Sequence, residues 1–315
     1  MVDIQQTSNE NLEQQYLLKF NKFLQSIKDE SKIKRRQAIE GISKEIKQLI
    51  EKSSLTNELA KFLLKNLLPL LNDQFEKCRE LTVELLTFIH NKSNLNNDLL
   101  SIIILALRQR IGQKDITEPS EELRLNLYEF VYNLINKSEK NVLSVHIDDL
   151  FAILQNSFLD NYAEVKKKGC LCTRELAKKV KSDFHKQSES LIKPLILNIT
   201  HQHSRVRKDI VDCIGDVILY GNNKSVDDVL FHLSQRLFDQ AHIVRQSVIT
   251  VVGMWLLDLL DRYSFHHKLI PLLLTGFSDE IPEIQDSAET YWWDIGWSYL
   301  IYFFFQSLYL FINRH

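Results

Sequence analysis

Apolar residues recur along most of the chain at the three- and four-residue spacing of amphipathic helices. Leu17, Phe20, Phe23, Leu24 and Ile27 trace one such stripe, which a 3.6-residue period places on a single helix face. The pattern starts near Tyr16. The stretch 1–14, with its Gln, Asn and Ser, lacks it and is expected to be a disordered lead-in.

A second pattern sits in the turns. An apolar helix ends in a polar turn residue, and about five residues later an apolar or β-branched residue followed by a base opens a second helix. Asp29 precedes Ile33-Lys34, Asp73 precedes Cys78-Arg79, and Asp160 precedes Val165-Lys166. His201 holds the Asp position before Val206-Arg207, Asp239 precedes Val244-Arg245, and Asp279 precedes Ile284-Gln285. Leu123-Arg124 fits the second half after a polar insert, Gly112 to Glu121. The second-helix anchors at 33, 78, 123, 165, 206, 244 and 284 recur roughly every 40 residues, the HEAT/armadillo period. Pro69, Pro194 and Pro271 each lie within a first helix, in LLPLL, IKPLI and LIPLL. Proline lacks an N–H and clashes with the preceding turn, so each is expected to kink its helix.

These signals predict an all-α fold: a right-handed α-solenoid of about seven HEAT-type helical hairpins. One hairpin cannot bury both of its apolar faces, whereas stacked hairpins bury them against neighbours. The turn Asp is expected to cap the second helix. The base six residues on is expected to reach the Asp of the next repeat. The predicted polar ladder comprises Asp29, Lys34, Asp73, Arg79, Asp160, Lys166, Arg207, Asp239, Arg245 and Asp279. The repeats are expected to span 15–296.

Residues 297–315 read differently. The run IGWSYLIYFFFQSLYLFI is about long enough to cross a bilayer, but it is aromatic-heavy and contains Ser298, Gln306 and Ser307. Three readings stand for it: translation of an AT-rich non-coding stretch, a packed terminal helix, or a tail anchor. The first is favoured, and a membrane role is not expected.

Composition removes several classes. Only 8 Gly and 5 Pro occur in 315 residues, too few for the tight turns of an all-β sandwich. The formal net charge of -2 lacks the basic excess of a nucleic-acid binder. Cys78, Cys170, Cys172 and Cys213 form no CxxC pair and are expected to be reduced thiols, with Cys170 and Cys172 on different helix faces. No apolar leader opens the chain, so a cytoplasmic location is expected. No nucleophile elbow, phosphate loop or HExxH motif is present, and neither enzymatic activity nor a cofactor is expected. His201 and His203 lack further ligands nearby in sequence and read as turn residues rather than metal ligands. Gly221-Asn222-Asn223-Lys224-Ser225 reads as a loop between repeats, and Asp148-Asp149 and Asp227-Asp228 as helix starts.

Less repetitive segments carry a resemblance. His185 to Pro194, Ile199 to His203 with Val206-Arg207, Gly221 to Val229, Gln235 to Asp239, Trp255-Leu-Leu, Asp261 to Phe265, and His267 to Leu274 resemble the HEAT-repeat dynein axonemal assembly factors, fifth in that series. Leu68 to Leu71, Cys78 to Leu81 and Ser120 to Leu125 match more loosely. The resemblance implies a cytoplasmic, non-enzymatic scaffold that helps pre-assemble outer and inner dynein arms. Axonemal dynein chains, chaperones and other assembly factors are its implied partners, held on a concave face of second helices. Family members are longer, so the chain is expected to be the N-terminal part of a longer protein. The alternatives are a generic HEAT adaptor, of phosphatase-scaffold or nuclear-transport type, and a tail-anchored HEAT protein.

Overall fold

The computed structural model describes residues 15–52 and 55–312, with side chains to residue 300 except that of Lys52. The expected lead-in at 1–14 lies outside the described residues. Those described form helices and connecting turns, with no strand. The hairpins run in chain order. Residues 15–26 (α1) pair with α2 (Lys32–Lys52), then α3 (Asn57–Leu67) with α4 (Glu76–Lys92), and α5 (Asn97–Ile111) with α6 (Glu121–Lys137). Next come α7 (Lys140–Val145) and α8 (Ile147–Leu159) before α9 (Ala163–Lys179), and α10 (Lys181–Phe184) and α11 (Glu189–Ile196) before α12 (Ser204–Tyr220). Two hairpins follow: α13 (Val226–Arg236) with α14 (His242–Asp258), and α15 (Arg262–Thr275) with α16 (Pro282–Ile312). The chain divides within α9 into two compact units, Met1–Lys168 and Gly169–His315.

In the first unit the second helices α2, α4 and α6 pack in succession, and α5 packs against α3 and α8. Local chemistry sets the boundaries. Thr56, Asn96 and Ser120 each accept the amide three residues on, opening α3, α5 and α6. At the other end of α4, the Lys137 ammonium caps the His90, Asn91 and Ser93 carbonyls. Ile39, Ile42 and Ile46 of α2, Leu63, Leu64 and Leu67 of α3, and Phe130 of α6 are almost fully buried. Their three- and four-residue spacing is the stripe seen in the sequence.

The second unit repeats the scheme with α12, α14 and α16. Here α12 and α14 meet closely. A Cβ on Gly215 would come within 2.6 Å of Val251 Cγ2, and the Trp255 indole N–H donates to the Gly215 carbonyl at 3.0 Å. Gly215 has a packing reason to lack a side chain, which outweighs the cost of glycine inside a helix.

The prolines act in two ways. Pro69 ends α3, and the chain tightens into a 3-10 segment, Leu68–Asn72. Pro194 and Pro271 stay inside α11 and α15. The aromatic tail continues α16 as helical backbone to Ile312, and residues 313–315 lie outside the described residues. Among the described residues no helix is long and apolar enough to cross a membrane. All four cysteines are free and buried.

Gly215→Ala is expected to destabilise the protein by about 1–3 kcal/mol through overpacking against Val251. Val251→Ala in the same chain should recover part of that loss, because it vacates the space the new methyl needs. Chemical denaturation of the two single variants and the double variant measures both effects. Strict additivity would contradict the close-packing account.

Candidate binding surface and the polar ladder

Each inter-helix turn begins with a polar side chain that folds back on its own backbone. Asp29 accepts the Ser31 amide, Asp73 that of Phe75, and Glu118 that of Ser120. Asp160 accepts from Tyr162, Asp239 from Ala241, and Asp279 from Ile281. His201 does the same through Nδ1, which accepts the His203 amide at 3.1 Å. The bond is thus an Asx-type turn that sets up the helix entry. It lies a residue or more ahead of the helical cap position where the Asp was expected.

Six residues after the turn residue, an arginine joins two consecutive turns. Arg124 and Arg79 are the most buried of these arginines, and Arg124 shows the arrangement in full. Its Nη1 donates to the Glu118 and Pro119 carbonyls of its own turn, at 2.9 and 3.1 Å. Its Nε and Nη2 grip both carboxylate oxygens of Asp160, at 2.6 and 2.9 Å. Arg79 holds the Asp73 carbonyl and both oxygens of Glu118. Arg35 holds the Asp29 and Glu30 carbonyls and both oxygens of Asp73. In the second unit Arg207 spans His201 and Asp239, and Arg245 spans Asp239 and Asp279. The planar guanidinium makes this possible, since it has enough donors to serve a carbonyl and a bidentate carboxylate together.

Two corrections to the sequence reading follow. Lys34 is not the first rung: its ammonium pairs at 2.9 Å with Asp29 of its own turn, and the rung belongs to Arg35. Glu118 and Arg124 are rungs that the list of ladder residues missed. Counting six residues on from Asp29, or six back from Arg124, finds all three. Lys166 stands at a rung position, but its ammonium donates to the Phe158 carbonyl at 2.8 Å. Gln285, the last in the series, donates to the Asp279 carbonyl.

The ladder shifts the acidity of its members. Burial pushes the Asp73, Glu118 and Asp239 carboxyls up, but their guanidinium and amide partners outweigh it and hold all three below the usual carboxylate range. For Asp279 the Arg245 hydrogen bonds are the largest influence, in the same direction. The rungs are ionised and structural, and they face away from solvent.

The outward surface of the second-helix layer has different chemistry. In the first unit, five residues beyond each rung arginine, stand Glu40, Glu84 and Glu129. Glu40 pairs with Arg36 at 2.8 Å and Glu129 with Lys168 at 2.7 Å. Lys168 also lies over Tyr132, and Lys47 over Phe88. In the second unit Arg174 joins Asp212 and Asp216, and Lys208 pairs with Asp212. The first-unit surface mixes charges with aromatic rings, a composition suited to protein contact, while the second-unit cluster is of carboxylates and bases, with Asp216 buried beneath it. Among the described residues no His, Cys, Asp or Glu side chains converge as a metal site requires.

Stacked hairpins joined by an internal polar ladder define an α-solenoid repeat protein. Solved structures of this class align with the chain. One is Kap121p bound to RanGTP, at TM-score 0.61 and 18% identity, covering 82% of this chain and 25% of that one. Another is a designed armadillo repeat protein in complex with the peptide (KR)4, at TM-score 0.54 and 18% identity, covering 72% and 97%. These likenesses show the fold alone.

The family is shown by sequence. Residues 26–301 match the model for dynein axonemal assembly factor 5-like TPR repeats, and the chain belongs to this family. Dynein axonemal assembly factor 5 of Xenopus laevis is 45% identical over 87% of the chain, and that of Homo sapiens 40% identical over 88%. The chain spans about a third of the length of these relatives, 32% and 33%. Although the family description names tetratricopeptide repeats, rung positions 35, 79, 124, 166, 207 and 245 recur at roughly 40 residues. That is the HEAT/armadillo period rather than the tetratricopeptide one of about 34.

Replacing Arg124 with Met strands Asp160 in a buried site and is expected to cost about 3–5 kcal/mol in chemical denaturation. Arg124→Met combined with Asp160→Asn should cost clearly less than the sum of the single changes, because no unpaired charge remains. Additive losses would mean that the pair is not coupled.

Proposed function

We propose that this chain is the part of an axonemal dynein assembly factor that holds clients during cytoplasmic pre-assembly of outer and inner dynein arms. The observation that carries this reading is the match at 40–45% identity, across nearly the whole described array, to relatives named for that role. A repeat solenoid suits the task, since large, partly folded clients need an extended surface rather than a pocket. The mixed acidic, basic and aromatic face of the second-helix layer is the surface proposed to meet them. The rung arginines and kink prolines act indirectly, by fixing how the hairpins present that face. The role is that of a non-enzymatic scaffold without a cofactor. Its proposed partners are axonemal dynein chains, together with chaperones and other assembly factors.

Depletion of the protein from ciliated or flagellated cells is expected to leave axonemes lacking both dynein arms in electron-microscopic cross-sections. Dynein chains should fall in the cytoplasmic pool as well. Intact arms after depletion would overturn the proposal.

A further inference from the structure

The middle of helix α5, from Leu99 to Leu107, is apolar nearly all round. Leu99, Leu100, Ile103, Ile104, Leu107 and Ile111 are buried in the first unit, yet Ile102 and Leu105 on its other side remain 42% and 46% exposed. A helix of that composition is normally enclosed. The two exposed residues form one wall of an open cleft of about 520 Å3 between α3 and α5. Leu64, Leu68 and Leu71 line the opposite side, and Ala106 lies beside Ile102 and Leu105. The cleft lies where Pro69 converts the end of α3 to 3-10 geometry. It is formed by first helices, on the layer opposite the surface proposed for dynein clients.

The charge along the cleft is lopsided. Lys65 lines it, and Lys61 stands one turn earlier on the same helix face. Both are exposed, and neither makes an ion pair among the described residues. The acids nearby, Glu58 and Asp98, stand in the first turns of α3 and α5.

We propose that this cleft docks an amphipathic helix of a partner protein, one that carries carboxylates along one flank of its apolar stripe. The apolar stripe would cover Ile102 and Leu105, and the carboxylates would meet Lys61 and Lys65. The dimensions fit a short helix: the α5 wall runs from Ile102 to Gln109, about 12 Å at 1.5 Å per residue, which accommodates roughly two helical turns. A bilayer fits less well, because the apolar residues line a recess rather than project from the surface. The proposal does not rest on the dynein reading.

Fluorescence anisotropy with two labelled model helices tests it, one with a leucine stripe flanked by glutamate and one with lysine in place of glutamate. The full chain is expected to bind the glutamate helix, and the lysine helix at least about tenfold more weakly. Ile102→Asp with Leu105→Asp should abolish binding while leaving the thermal melt unchanged, because both sites are half exposed. Lys61→Glu with Lys65→Glu should reverse the preference and guards against a loss caused by misfolding. Equal binding of the two helices, a preference untouched by charge reversal, or no binding would overturn the proposal. So would binding to anionic phospholipid vesicles in place of the glutamate helix.

Discussion

One guanidinium serving two turns is the interaction on which the rest of the structure depends. In each such rung the arginine ties the carbonyls of its own inter-helix turn to the carboxylate that opens the next turn. The register between successive hairpins is thereby set by a planar, bidentate contact rather than by apolar packing, which is tolerant of sliding. A buried ion pair adds little net stability, because desolvation offsets most of its attraction. Its effect is directional. A hairpin displaced by one residue would bury an unpaired arginine and an unpaired acid.

The apolar core then supplies the stability. Second helices pack on second helices through residues at helical spacing, and α12 meets α14 closely at Gly215, where the Trp255 indole bonds to the buried carbonyl. Because the polar groups that join repeats are internal, the outward face of each second helix is free to vary. In the first unit that face carries Glu40, Glu84 and Glu129 beside Phe88 and Tyr132. In the second it carries Arg174, Asp212 and Lys208, with Asp216 buried beneath Arg174. A scaffold whose architecture is fixed from inside can diversify its binding surface without losing its fold.

Much of this was legible in the sequence, because a repeat writes the same constraint many times. The Asp-to-base offset and the period of roughly 40 residues follow from local turn geometry, and local geometry is what a linear sequence records. The misassignment of Lys34 arose where two bases are adjacent: only the constant six-residue offset selects Arg35. Glu118 was missed because a glutamate inside a long insert does not look like a turn Asp, although its longer side chain makes the same contacts. The fates of the prolines diverged for reasons the sequence does not carry, with Pro69 ending its helix and Pro194 and Pro271 remaining inside theirs. The cleft between α3 and α5 was not visible either. Nothing in the sequence separates Ile102 and Leu105 from the buried apolar residues beside them in α5.

Hydrogen–deuterium exchange on an Arg79→Leu variant tests the central claim most directly. Arg79 contacts the Asp73 turn and the Glu118 turn, whose side chains accept the Phe75 and Ser120 amides. The account predicts faster exchange at both amides, while the Tyr162 amide, held by the next rung, keeps its protection. Faster exchange at Phe75 alone, or unchanged exchange at both, would contradict the claim that one arginine locks consecutive repeats together.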